Sequence, residues 1–148
     1  MHIFDLKKIP SIKGRLAFYQ LTIDDKPVFE ETDTEEKRNK KKNGVLDDYE
    51  KELQKKYRKD IEMIYAYMNM HSNGEHIPGT KYHELERPKN DPYPDFEFKH
   101  GDLRLYGVKI TNGKIIFLGG YKNRQNKNLK RLRSLKKQYF ETTKIEQK

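Results

Sequence analysis

Between Asp95 and Arg124 the chain reads DFEFKHGDLRLYGVKITNGKIIFLGGYKNR, three short apolar runs separated by His100-Gly101 and Asn112-Gly113. Dipeptides of this class suit two-residue hairpin loops, whose central residues reach positive φ, so the segment is expected to fold as an antiparallel meander. A hairpin loop also fixes which residues lie opposite each other. With Asn112-Gly113 as one loop, Thr111 faces Lys114, Ile110 faces Ile115, Val108 faces Phe117, Tyr106 faces Gly119 and Arg104 faces Tyr121. With His100-Gly101 as the other, Phe98 faces Leu103, Glu97 faces Arg104 and Phe96 faces Leu105.

Alternation then separates two surfaces. One carries Phe96, Phe98, Leu103, Leu105, Ile116 and Leu118 and reads as a core layer. The other aligns Glu97, Arg104 and Tyr121 in one cross-strand row, with Asp95 and Tyr106 in the next. A carboxylate, a guanidinium and a phenol side by side suit a reactive site. They equally suit a structural ion pair across a sheet, a contact of about 0.2–1 kcal/mol. Beyond the polar row the same surface continues into Val108, Phe117, Ile110 and Ile115, which need a cover, from the long helix or from another chain.

The charge is unevenly placed. The net charge is +9, and the stretch from Lys99 to Lys137 holds twelve Lys or Arg against one acid, Asp102, leaving the rest of the chain at −2. A local excess of this size points to a polyanion, nucleic acid above all, with a solvated basic surface as the plain alternative. With 148 residues, 33% hydrophobic and 37% charged, the expectation is one domain with some solvated helix. Cysteine is absent, which excludes disulfides and thiolate metal sites and fits a cytoplasmic setting. No apolar run approaches a membrane span and no signal peptide is recognisable at the N-terminus.

Along the chain, residues 1–13 are expected to be flexible, and 14–23 (GRLAFYQLTI) reads as a strand. Pro27 to Glu31 has the composition of a second short strand. The T-x-x-E and D-x-x-E patterns at Thr32 to Glu36 mark a helix start, so 33–44 is a charged helix or connector that breaks at Asn43-Gly44. Leu46, Tyr49, Leu53, Tyr57, Ile61, Ile64 and Met68 recur at three- and four-residue steps, predicting one long amphipathic helix from Val45 to about His71, stopped by Ser72-Asn73-Gly74. His71, His76 and His83 with Glu75 match no metal-ligand spacing, and no metal or small-molecule cofactor is expected. Lys81 to Arg87 suits a short edge strand before Pro88. Lys127 to Phe140 reads as a basic helix with Leu129, Leu132, Leu135 and Tyr139 on one side, and 141–148 as a frayed tail.

The order of strand, long helix, antiparallel strands and basic C-terminal segment resembles the RelE/ParE superfamily of bacterial type II toxins. The residues carrying the likeness are F-E-F-K at 96–99, L-R-L-Y at 103–106 and I-I-F-L-G-G-Y-K-N-R at 115–124. The likeness implies an α+β fold: a small antiparallel sheet, made of the meander and the N-terminal strand, packed by a long helix. It also implies a ribosome-dependent endoribonuclease that cuts mRNA by attack of the ribose 2′-hydroxyl, and an acidic antitoxin as partner. Chain departures are the long charged segment before the helix and the Gly119-Gly120 pair.

Such chemistry needs a base, positive charge on the phosphorane and a donor for the leaving oxygen. The catalytic expectation is Glu97 as base, Arg104 as phosphate clamp, and Tyr121 and Lys122 in support, with Lys122 facing outward if Gly119-Gly120 forms a bulge. Lys99, His100, Tyr106, Arg124, Lys127, Lys130 and Arg131 are the expected substrate contacts. His100 at a turn tip is also readable as a solvated turn residue. Two other functions fit the same residues: a gyrase-directed toxin, and a basic nucleic-acid-binding module without catalysis.

Overall fold

The computed structural model describes residues 2–146. Its elements run β1 (Phe4–Lys8), β2 (Ala17–Ile23), α1 (Glu35–Lys41), α2 (Val45–Glu52), α3 (Arg58–Ser72), β3 (Tyr82–Glu84), β4 (Asp95–His100), β5 (Leu103–Ile110), β6 (Gly113–Tyr121) and α4 (Gln125–Glu146). The six strands form one sheet in the order β1-β2-β6-β5-β4-β3, with β2 parallel to β6 and every other pair antiparallel. The fold is therefore α+β with a mixed six-stranded sheet, larger than the antiparallel one expected. Residues 4–8, expected to be flexible, supply its outer strand, while Pro27 to Glu31 forms none. The predicted tail continues α4 as far as Glu146, and residues 147 and 148 lie outside the described residues.

The meander forms, but the first turn sits one residue later, and the second one residue earlier, than the dipeptides suggest. His100 pairs with Leu103, so Gly101 and Asp102 are the first loop, and Gly101 has φ +56°, the positive value that glycine tolerates at the first loop position. Ile110 pairs with Gly113, so Thr111 and Asn112 are the second loop. Gly113 answers a different demand: a Cβ there would lie 2.6 Å from the Ala17 carbonyl oxygen of the adjacent parallel strand. A bulge opposite Tyr106 and Gly107 inserts Phe117, since Gly107 pairs with Ile116 and Tyr106 with Leu118. The expected bulge at Gly119-Gly120 is thus displaced up the strand, and Leu118 moves to the face opposite the one assigned to it.

The helix predicted from Val45 to His71 is broken. Leu53 and Gln54 are extended, with ψ 130° and 151°, and a 3-10 turn at Lys55–Tyr57 leads into α3. No Gly or Pro stands at the break; tertiary packing imposes it, because Leu53 is buried in the core and the chain must redirect over the end of β6. Upstream, Thr34 caps α1 by accepting from the Lys37 N–H at 3.1 Å, one or two residues beyond the Asp33 and Thr32 at which the D-x-x-E and T-x-x-E patterns begin.

Helices cover both faces. On one, Leu46, Tyr49, Leu53, Ile61, Ile64 and Met68 pack on Phe18, Phe96, Phe98, Leu103, Leu105 and Ile116. On the other, Leu132 and Leu135 of α4 pack on Leu21, Tyr106, Val108, Ile115 and Phe117. The apolar end that called for a long helix or a second chain is therefore covered by the basic C-terminal helix of the same chain.

One buried cation fixes α4. Lys136, 6% exposed, donates through Nζ to Asp95 Oδ1 at 2.7 Å, to the Tyr93 carbonyl at 2.6 Å and to Asp91 Oδ2 at 2.5 Å. Burial alone would raise the Asp91 pKa, but the Lys136 ammonium and the Tyr93 N–H hold it below the ordinary carboxylate value. Replacing Lys136 by Met keeps the length of the side chain yet leaves Asp95 buried without its counter-charge. The Lys136→Met variant is expected to lose about 3–5 kcal/mol in urea denaturation; a loss below about 1 kcal/mol, the range of an exposed pair, would show that the clamp does not hold the helix.

Candidate functional site

The actual register sorts the predicted site residues onto two sides of the sheet. Leu103, not Arg104, pairs with Tyr121, Arg104 pairs with Lys99 and Gly120, and Glu97 pairs with Tyr106. The row of Glu97, Arg104 and Tyr121 does not form. Asp95, Glu97, Lys99, Arg104 and Tyr106 share the face beneath α4, whereas His100 and Tyr121 share the face covered by α2 and α3.

On the α4 side the polar cluster is sealed. Glu97 is 1% exposed, with Oε1 at 3.7 Å from His83 Nε2 and 3.9 Å from Lys99 Nζ. Glu97 Oε2 and the Tyr106 hydroxyl are buried without a hydrogen bond of ordinary geometry, although they lie within electrostatic reach of each other. Burial first, and then the Glu97 charge, push the Tyr106 phenol up to about 12. Arg104, 8% exposed, spends Nη1 on the carbonyls of Gly101 at 2.7 Å and Leu103 at 2.8 Å. It braces the first hairpin turn from within.

The other side is open at the end of the sheet. His100, Leu103 and Tyr121 form one row across β4, β5 and β6. Two strand spacings separate the outer pair, about 10 Å between backbones. His100 is set by α3: its Nε2 lies 3.6 Å from Asp60 Oδ1 and its Nδ1 3.2 Å from the Tyr67 hydroxyl, with about a quarter of its side chain exposed. Asp60 stands in the first turn of α3, over the hairpin, so close that a Cβ on Gly101 would lie 3.1 Å from its Oδ1. A carboxylate against one imidazole nitrogen orients the ring.

Beside His100, the turn residue Asp102 begins a cleft of about 620 Å³ lined by Gln54, Tyr57, Asp102, Tyr121, Lys122, Asn123 and Arg124. The break between α2 and α3 builds one wall. It carries Tyr57 to within 5.5 Å of the Tyr121 ring, centroid to centroid, with Lys56 Nζ 5.1 Å above the Tyr57 ring. Tyr49 packs on the inner side of Tyr121 at 6.1 Å and donates its hydroxyl proton to the Gly120 carbonyl at 2.8 Å. Burial, followed by Tyr57, raises the Tyr121 pKa, so its phenol stays protonated as a donor. Lys122 and Arg124 are exposed in a 3-10 turn anchored by the Lys122 N–H on the Asp102 carbonyl at 2.8 Å. Lys127, Lys130 and Arg131 continue the exposed positive charge along α4. Rings beside cations are the chemistry on which bases stack and phosphates pair.

Tyr121, Lys122, Arg124 and His100 thus come to one end of the sheet, while Glu97, Arg104, Tyr106 and Lys99 lie on its other face. Asp60, Tyr57 and Gln54 were not anticipated as site residues. Tyr57 belonged to the apolar helical stripe and read as core; only the helix break, invisible in the local sequence, turns it into the cleft. Among the described residues no group of three or more acidic or histidine side chains is placed to hold a metal ion, and no helix is long and apolar enough to cross a membrane. No family model, curated protein or solved structure matches the chain.

At the far end of the same face, His71 packs against Tyr82 at 4.5 Å, and Lys114, 2% exposed, lies over the rings of Tyr82 and Phe96 at 4.9 and 4.8 Å. Burial, aided by the Lys109 charge, lowers the Lys114 amine to about 8. Burial, then Lys114 and Lys109, lower His71 from 6.5 to about 4. Between those two values the unfolded chain binds a proton that the folded one rejects, so stability rises with pH across the window and is lost as pH falls through it. Melting temperature followed from about pH 7 down to about pH 4 should fall in the wild type, and His71→Gln should flatten that part of the slope. An unchanged slope in the variant would show that His71 is not the group responsible.

Proposed function

We propose that this chain is a ribonuclease toxin of the RelE/ParE kind, with its site at the end of the sheet between the first hairpin turn and the 3-10 turn after β6. The observation that carries the reading is His100, oriented by Asp60 and Tyr67, at one end of a surface whose other end holds Tyr57, Tyr121, Lys122 and Arg124. Further support comes from the order of elements, which matches in outline what the resemblance implies: N-terminal strands, helices, a three-stranded meander whose last strand returns beside β2, and a basic helix.

On this reading His100 is the base, a role that the burial of Glu97 makes unsuitable for the carboxylate. With Nε2 kept by Asp60, Nδ1 exchanges the Tyr67 hydroxyl for the ribose 2′-hydroxyl and takes its proton, the 2′-oxygen attacks phosphorus, and the bond to the 5′-oxygen breaks. The leaving oxygen takes a proton from solvent, and the His100 imidazolium returns its proton to solvent, giving a 2′,3′-cyclic phosphate and a 5′-hydroxyl. Lys122 and Arg124 offset the charge of the phosphorane, and Tyr121 donates to a phosphate oxygen while its ring and that of Tyr57 stack on bases. Arg104 positions the turn that carries His100. The substrate is mRNA presented on the ribosome. An acidic antitoxin, which the reading entails, meets the cationic cleft and the outer face of α4, since the apolar sheet face is already covered.

Inducible expression with primer-extension mapping of cellular mRNA tests the reading. The wild type should arrest growth and leave codon-phased cleavage. His100→Gln should reduce cleavage about 10²–10³-fold, within the usual range for a general acid or base. Asp60→Asn should reduce it less. Arrest without cleavage would favour a gyrase-directed toxin, and neither arrest nor cleavage would leave a module that only binds nucleic acid.

A further inference from the structure

The second basic feature of the fold lies outside the charge-rich C-terminal segment. The first 98 residues carry a net charge of −2. Even so, the fold draws Lys7, Lys40, Lys41, Lys42, Lys51 and Arg58 around a pocket of about 420 Å³ that contains only two carboxylates, Asp47 and Glu50. Both carboxylates have internal partners. Asp47 accepts from Lys7 Nζ at 2.8 Å, Gly44 N at 3.1 Å and Gln20 Nε2 at 3.3 Å, and Glu50 accepts from the Tyr65 hydroxyl at 2.5 Å. Lys41 and Lys42 are paired outside the pocket with Asp33 and Asp5. Three cations project with little to neutralise them. Lys40 has a side chain 73% exposed and only a 3.6 Å contact with the equally exposed Glu36; Lys51 makes one 3.4 Å contact, with Asn43; exposed Arg58 uses one Nη on the Glu50 carbonyl.

The position of this pocket matters as much as its sign. Its walls include Glu50, Lys51 and Arg58, which flank the helix break, while Gln54 and Tyr57, within the break, line the tyrosine cleft. Exposed Lys55 and Lys56 lie on the 3-10 turn between them. Cations therefore mark a path from Arg124 and Lys122, over Lys56 and Lys55, to Arg58, Lys51 and Lys40, with Asp102 in the cleft and exposed Glu52 near Tyr121 as acids along it. A single small anion would need one pocket; an extended track with stacking rings at one end fits a single strand of RNA.

We propose that the strand bound in the tyrosine cleft continues over the helix break into the Lys40, Lys51 and Arg58 pocket, which grips phosphates several nucleotides away from the site of cleavage. This rests on the reading that the cleft binds RNA.

Fluorescence anisotropy with non-cleavable 2′-O-methyl oligonucleotides of about 4 and about 12 nucleotides, the range of single-strand site sizes, across a series of salt concentrations tests it. The wild type should bind the longer strand more tightly and with a steeper salt dependence. In the triple variant Lys40→Gln, Lys51→Gln, Arg58→Gln the log–log salt slope for the longer strand should fall by about 2, three phosphates at roughly 0.7 each. Lys51→Gln alone should lower it by about 0.7, which keeps the test sound should the triple variant fold poorly. A wild-type slope in these variants, with Lys122→Gln, Arg124→Gln weakening both strands, would overturn the track and leave the cleft in place. Unchanged binding of both strands by the Lys122, Arg124 variant would instead sink the reading of the cleft. Binding of an acidic peptide in preference to either strand would overturn the track in favour of a protein partner.

Discussion

The placement of the polar side chains of β4 and β5 depends on the register of their hairpin. Gly101 takes a positive φ, Arg104 fastens the turn by donating to the Gly101 and Leu103 carbonyls, and His100 consequently lies opposite Leu103. A slip of one residue would exchange the two faces of β5. Leu103 and Leu105 would then point at α4, and the arginine would enter the core beneath α3. Burial of those leucines against Ile61 and Ile64 thus selects the same register that presents His100 to Asp60. Packing and site geometry are two results of one constraint.

The bulge at Phe117 and the break between α2 and α3 follow from the same packing. Phe117 joins Leu118 on the α4 side, which restores Gly119 to the side where Tyr49 lies; a Cβ at Gly119 would come within 2.4 Å of the Tyr49 ring. Tyr49 can sit there only because α2 ends at Leu53, and the chain that leaves α2 brings Tyr57 to Tyr121. On the opposite face Lys136, caught between Asp91 and Asp95, holds α4 over Val108, Ile115 and Phe117. A helix with so many exposed cations stays docked through its leucines, the rings of Tyr139 and Phe140 against Phe117 and Tyr93, and one buried lysine shared by two carboxylates. Its remaining charge is left for solvent and ligands.

The existence of the elements was legible where local signals were strong. Hairpin dipeptides marked the meander, the T-x-x-E and D-x-x-E patterns marked the start of α1 to within two residues, and the leucine spacing marked α4. Registers and interruptions were not, because nonlocal contacts decide them. Gly113 looked like a turn residue but is small because β2 passes beside it; the apolar stripe from Leu46 to Met68 was read as one helix because nothing at Leu53 announces that the sheet beneath it ends. The error of a single residue in each turn moved Glu97 and Arg104 away from Tyr121 and concealed the partnership of His100 with Asp60. Basic charge was legible in the last third of the chain, but the cluster around Lys40, Lys51 and Arg58 is assembled by the fold from short basic runs whose charge is offset elsewhere in the first 98 residues, so their proximity is not visible in sequence.

The central claim is that nucleic acid is met on the α3 side of the sheet end, by His100, Tyr57 and Tyr121, and not on the α4 side by Glu97 and Tyr106. Aromatic NMR spectra recorded while a non-cleavable single-stranded RNA analogue is added distinguish the two directly. The account predicts saturable shifts of the His100 imidazole and of the Tyr57 and Tyr121 rings, with the Tyr106 ring unmoved. Shifts confined to Tyr106 and His83, with His100 and Tyr121 silent, would contradict it.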